Sequence, residues 1–190
     1  EEKIAALAEQ ISGHIDLDAL LRLTARSRPP DTFRDPVFSG DGCPDVRIGV
    51  ALDEAFNFYY ADLFDILAVH GAEWVPFSPV SGRLPEADGY IIGGGYPELF
   101  LRELEANDRM REAVLEQSLA GVPFYAECGG LMYLTDKILL KEGWQGREQD
   151  ESFTMCGVFP GKTVMPTRRV VSYVEGESLG GNPLGTGHFR

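Results

Sequence analysis

The chain has 190 residues, 44% of them apolar and 25% charged, and a net charge of −13. That composition describes an ordinary globular protein long enough to bury a core without staples. Its acidic balance excludes a nucleic-acid surface and discourages docking on anionic lipid, since both need clustered Lys and Arg. Three cysteines, Cys43, Cys128 and Cys156, are odd in number and far apart, with neither the CxxC pairs of a zinc site nor an even disulfide framework. On that cysteine usage a reducing cytoplasm is the expected compartment. No run resembles a membrane span or a signal peptide. The start at Glu1-Glu2, without Met, reads as a piece of something longer.

Residues 1–27 carry two short helical patterns. Ile4, Leu7, Ala8 and Ile11 fall on one face, with Gly13 ending the run. Asp16 or Asp18 then caps a second helix bearing Leu20, Leu21 and Leu23. From Arg28 to Asp45 the sequence turns to Pro, Asp, Ser and Gly without period, which reads as a linker. Residues 1–27 are therefore expected to belong to another unit, with the main domain covering 46–190.

Within that domain strand and helix signals alternate. Val46–Ala51 is a short β-type run, and a helical pattern follows from about Asn57 to Val69, stopped at His70-Gly71. Glu73–Phe77 reads as a second strand with Pro76 near its end, and Asp88–Ile92 as a third running into Gly93-Gly94-Gly95. Leu99 to Leu119 reads as one long helix with Leu101, Leu104, Met110, Val114 and Leu115 as core positions, and Glu103, Glu105, Glu112 and Glu116 as its solvated face. Val122–Ala126 is the fourth strand, and Leu131 to Lys137 the next helix. Beyond Lys141 the rhythm weakens, with strand signals over Met155–Phe159 and Arg169–Val174. Such βαβ alternation predicts an α/β fold with a mostly parallel sheet flanked by helices. Sites in such sheets form at the carboxyl ends of strands, where both glycine clusters lie.

One of those clusters is Ala126-Glu127-Cys128-Gly129-Gly130. A nucleophile held on a strand-to-helix turn needs small residues two before and two after it, because larger side chains collide in so tight an elbow. Ala126 and Gly130 meet that requirement. The geometry exposes the sulfur and sets it by the positive end of the following helix. It also aims the Gly129 N–H where an oxyanion would form, and strains the backbone at Cys128. The spacing by itself fits a buried structural cysteine too. Cys43 and Cys156 lack this context and read as inert. The second cluster, Gly93-Gly94-Gly95-Tyr96-Pro97-Glu98, can turn its backbone sharply and offer N–H groups to a negative charge. It has neither the Lys-Ser/Thr ending of a phosphate loop nor the GxGxxG spacing of a dinucleotide site, and a plain loop stays open.

Four runs occur here in order: Ala55-Phe56-Asn57-Phe58-Tyr59-Tyr60, Phe77-Ser78-Pro79, Gly93 to Glu98, and Ala126 to Leu134. Together they resemble the glutamine amidotransferase half of the cobyrinic acid a,c-diamide synthases, from about Val46 to the end. The leading helices with Asp16-Leu17-Asp18 resemble the tail of that family's ATP-binding domain. The resemblance implies a flavodoxin-like class I amidotransferase that hydrolyses glutamine through a cysteine thiolate and a glutamyl thioester. Ammonia then passes to the N-terminal ATP-binding domain, which activates the a and c acetate carboxylates of a corrinoid or related tetrapyrrole for cobalamin biosynthesis. Cys128 matches the nucleophile, and Gly94, Gly95 and Gly129 match the oxyanion and glutamine-binding backbone. No cofactor is expected in this chain; ATP and magnesium belong to the upstream domain. The same motifs suit amidation of nickel-sirohydrochlorin, and an inactive binding module with this fold is a third reading; the short Tyr-Pro-Glu form of the glycine motif speaks against the related cobyric acid synthases.

A cysteine nucleophile of this kind needs a histidine to carry its proton. His14 lies in the leading segment and His70 at a helix end, so His188, in Gly185-Thr186-Gly187-His188-Phe189-Arg190, is the candidate. The family run here is Gly-His-Glu-Phe-His-Tyr-Ser, usually entered through an Arg. Either His188 is a degenerate match, or Arg190 stands just before that run and the domain is truncated; the second alignment is favoured. Glu127 is read either as orienting the elbow or as facing solvent, and Phe56, Phe58, Tyr59 and Tyr60 as helix packing in preference to a corrin platform.

Overall fold

A computed structural model of the chain describes residues 2–26, 46–167, 175–178 and 187–189. The expected linker over 28–45 with Cys43, the strand expected over Arg169–Val174, and Arg190 lie outside the described residues. The described residues fall into two units. In the first, helix α1 spans Glu2–His14, running through Gly13, and α2 spans Leu17–Thr24. Asp16 is the cap: its Oδ1 accepts the Ala19 N–H at 2.8 Å and satisfies one orphan donor of the first turn. Ile4, Leu7, Leu20 and Leu21 are exposed on these helices.

In the second unit, β1 (Val46–Ala51), β2 (Ala72–Phe77), β3 (Gly89–Ile92) and β4 (Phe124–Ala126) form a parallel sheet in the order β2-β1-β3-β4. Pro76 cannot donate to a ladder, and it sits near the end of the edge strand β2, opposite Val50. Helix α3 (Ala61–Val69) makes the crossover from β1 to β2. It starts four residues later than its apolar period predicts, so Asn57 to Tyr60 form the loop leaving β1.

The expected helix from Leu99 to Leu119 is three pieces: a 3₁₀ turn at Pro97–Leu99, α4 (Leu101–Ala106) and α5 (Asp108–Leu119). Asn107 breaks it at φ −84°, ψ 64°, and its side-chain amide donates to the carbonyls of Pro79 at 2.9 Å and Gly82 at 3.1 Å. The apolar period survives the break. Leu101, Leu104, Met110 and Val114 are buried in one core with Phe56, Phe77, Tyr90 and Ile92, while Leu115 is half-buried. Glu105 departs from the expected solvated face, because its Oε1 accepts the Thr154 N–H.

Helix α6 (Gly129–Leu134) is shorter than the expected Leu131–Lys137 and starts directly after Cys128. The chain passes straight into β5 (Thr135–Leu140), where the β-branched Thr135 and Ile138 suit a strand. β5 pairs antiparallel with β6 (Glu151–Thr154) and parallel with β7 (Phe159–Met165), a second sheet in the order β6-β5-β7. Of the strand expected over Met155–Phe159, residues 155–158 are instead the connection between β6 and β7, and Phe159 opens β7. Ile138, Leu140, Phe153 and Met155 join the same core as the parallel sheet. Finally β8 (Gly176–Ser178) and β9 (Gly187–Phe189) make a two-stranded antiparallel ribbon.

Candidate active site

Cys128 sits between the end of β4 and the first residue of α6, and it adopts φ 50°, ψ −113°. Positive φ costs a residue with a Cβ and persists only where the surroundings enforce it. Here they do. Glu127 N–H is held by the Ile92 carbonyl at 3.2 Å, and Gly130 N–H by the carbonyls of Gly93 at 3.0 Å and Glu127 at 2.8 Å. A Cβ on Gly130 would collide with the Ile92 carbonyl oxygen, so only glycine lets α6 start this close to β3. The result is an exposed Cys128 raised above the C-terminal edge of the sheet.

The glycine run after β3 borders the same cysteine. A Cβ placed on Gly94 would stand 3.7 Å from the Cβ of Cys128, and one placed on Gly129 would stand 3.3 Å from the Gly95 nitrogen. Gly95 passes so tightly beneath the loop after β1 that any side chain would strike the Ala55 carbonyl, which itself accepts the Tyr96 N–H at 2.9 Å. Gly94 pairs with Phe58 in an isolated antiparallel bridge, its carbonyl accepting the Phe58 N–H at 3.1 Å. Among the described residues, the N–H groups of Gly95 and Gly129 make no hydrogen bond to the protein. Two unpaired donors thus stand together beside an exposed thiol, an arrangement suited to stabilising negative charge on a carbonyl oxygen attacked by that thiol.

The sequence matches the CobB/CobQ-like glutamine amidotransferase domain over residues 47–188. This chain belongs to the CobB/CobQ-like glutamine amidotransferase family. It is 48% identical over 182 residues to proteins named cobyrinate a,c-diamide synthase from Methanosarcina acetivorans and Methanosarcina barkeri, covering 91% of this chain and 37% of each relative. A protein of the same name from Listeria monocytogenes serotype 4b is 41% identical over 192 residues, or 97% of this chain and 39% of the relative. The chain thus spans somewhat over a third of the length of these relatives.

The remaining described cysteine, Glu127 and the histidines each have their own surroundings. Cys156 is buried, its N–H bonded to the Tyr133 carbonyl at 3.0 Å, and burial pushes its thiol up to about 12. A thiol so hard to ionise is a poor nucleophile. Glu127 accepts the Tyr125 hydroxyl at 3.1 Å on the exposed side of the elbow. His14 bonds the Gln10 carbonyl within α1, and His70 caps α3 through its backbone. His188 lies in β9, pairing with Glu177, and its side chain lies outside the described residues. Among the described residues no group of three or more His, Cys, Asp and Glu could hold a metal ion. No helix among the described residues is long and apolar enough to cross a membrane.

The aromatic run after β1 divides its labour in a way its period does not show. Phe56 is fully buried against Tyr133, ring centroids 5.5 Å apart. Phe58 and Tyr60 are 60% and 74% exposed and meet edge to face at 6.0 Å beside Gly94. Tyr59 turns inward. None of Phe58, Tyr59 and Tyr60 lies in a helix, so helix packing does not account for them. Asp53, absent from the sequence-based candidates, is the hub of this loop. Its Oδ1 accepts the N–H groups of Ala55 and Phe56, and its Oδ2 accepts the Ser78 hydroxyl and the Val80 N–H, all between 2.8 and 3.0 Å. The available signal was position: a carboxylate two residues beyond a parallel strand is placed to organise a site.

Proposed function

We propose that this domain hydrolyses glutamine with Cys128 as the nucleophile. The observation that carries the reading is the strained, exposed Cys128 beside the unpaired N–H groups of Gly95 and Gly129. The sulfur adds to the side-chain amide carbon of glutamine, and the carbonyl oxygen takes up negative charge facing those two donors. Collapse breaks the C–N bond; nitrogen leaves as ammonia with a proton delivered to it, and a γ-glutamyl thioester remains. Water then adds to the thioester carbon and breaks the C–S bond, releasing glutamate and the thiol. The proton at the leaving nitrogen belongs to a histidine, either His188 or the Gly-His-Glu-Phe-His run of the family.

In the whole protein this domain supplies ammonia to an N-terminal domain that uses ATP and magnesium to activate the a and c carboxylates of cobyrinic acid. Residues 1–27 are the tail of that domain and 28–45 the linker. The names of the relatives favour cobyrinic acid over nickel-sirohydrochlorin, and the strained elbow favours an enzyme over a binding module. An exposed thiol kept for catalysis suits the reducing cytoplasm. The test is the full-length protein carrying Cys128→Ala. Glutamine-dependent amidation is lost while ammonia-dependent amidation continues; loss of both, or of neither, contradicts the assignment.

A further inference from the structure

We infer that Tyr59 is a positioning residue that fixes the Gly93–Gly95 backbone so that the Gly95 N–H faces the group attacked by Cys128. The inference rests on the reading of Cys128 as nucleophile and deepens it. The Tyr59 hydroxyl donates to the Ala51 carbonyl at 2.5 Å and accepts the Gly93 N–H at 2.8 Å. Ala51 ends β1 and Gly93 follows β3, two strands whose pairing stops at Val50 and Ile91. One phenol therefore extends the link between neighbouring strands past the point where their own ladder ends.

Contact reinforces the bond. A Cβ on Gly93 would come within 2.5 Å of the Tyr59 ring, so the glycine backbone lies directly on the aromatic surface. The Gly93 carbonyl in turn accepts the Gly130 N–H, so this residue is held by the loop after β1 and by the start of α6 together. Two consequences follow. The Gly93 N–H is spent on Tyr59 and cannot serve an oxyanion, which leaves the role to the glycines after it, among them Gly95 beside Gly129. Moreover, the height of the glycine strand above Cys128 depends on the phenol. Burial pushes Tyr59 up to about 12, so it stays protonated and the two bonds persist across ordinary working pH. With its proton committed to Ala51, Tyr59 is not an acid or base for the reaction.

The test separates the oxyanion site from the thiol, in the full chain. Glutamic γ-semialdehyde adds reversibly to a cysteine thiolate and gives a tetrahedral oxyanion, whereas iodoacetamide alkylates the thiol and forms none. The aldehyde's affinity is read as protection of Cys128 from iodoacetamide, followed by mass spectrometry. Tyr59→Phe is expected to weaken aldehyde binding by about 10- to 100-fold, up to the loss that a displacement of about 1 Å at a reacting centre brings. The rate of iodoacetamide alkylation should stay within about twofold, because thiolate reactivity is set at Cys128 itself. Unchanged aldehyde affinity in folded Tyr59→Phe overturns the inference, and so does an equal loss in both reactions. Should Tyr59→Phe not fold, Gly93→Ala disturbs the same contact from the opposite side and must show the same selective loss. If the unsubstituted chain alkylates at Cys128 but binds no aldehyde, the nucleophile reading itself fails, a result distinct from any seen only in the variants.

Discussion

The Gly130 N–H is bonded to the Gly93 carbonyl at 3.0 Å, and this one bond joins the two glycine clusters that read as separate motifs in the sequence. It ties the start of α6 to the glycine run that carries the Gly95 donor, and so links the nucleophile to its oxyanion site. Gly130→Ala drives a methyl group into the Ile92 carbonyl and forces the two apart. Backbone strain of this kind costs on the order of 2–4 kcal/mol. Urea unfolding is expected to show that loss, with Cys128 labelling by glutamine analogues reduced further than stability alone explains.

Asp53 holds four donors from two loops. Asp53→Ala strands the amides of Ala55, Phe56 and Val80 and the Ser78 hydroxyl. At about 1 kcal/mol net for each lost bond, a cost of roughly 2–4 kcal/mol is expected, since water replaces some partners at this half-buried site. Calorimetry checks the figure. Because the Ala55 carbonyl receives the Tyr96 N–H, the variant also loosens the loop against the glycine strand, and amide exchange at Tyr96 should rise.

Alkaline pH should unfold the domain through groups buried in their neutral form. Cys156 has an ordinary value of 9.0 and is pushed up to about 12 in the fold by burial. Between those values the unfolded chain has lost the proton and the native one keeps it, so the unfolded state binds fewer protons and stability falls as pH rises. The slope approaches about 1.4 kcal/mol per pH unit for this one group. Tyr59 and Tyr133, both raised by burial from 10.0, act in the same direction at higher pH. Urea titrations at pH 8, 9 and 10 are expected to show the decline, and Cys156→Ala should flatten its first unit.

How much was legible beforehand follows from where the information resides. The order of β1 to β4 and the elbow at Cys128 are written locally, in apolar runs, glycines and small-residue spacing. The break at Asn107 is not, because its partners are the carbonyls of Pro79 and Gly82, distant in sequence. The run from Phe56 to Tyr60 has the density of a helix face, but its residues look in different directions. Phe56 meets Tyr133, Tyr59 meets Gly93, and Phe58 meets the solvent. Only tertiary contact separates those fates. The proton partner is likewise a long-range matter, and a turnover assay addresses it: the 190-residue chain alone should fall about 10²–10⁴-fold short of full-length glutaminase activity if its base is missing. Full turnover would assign that base to His188.

The most direct test of Cys128 as a glutamine-directed nucleophile is labelling with 6-diazo-5-oxo-norleucine followed by peptide mass spectrometry. A single adduct on Cys128, prevented by excess glutamine and with Cys156 unmodified, is the predicted result. An unlabelled Cys128 in a folded full-length protein, or labelling that glutamine does not suppress, would contradict the account.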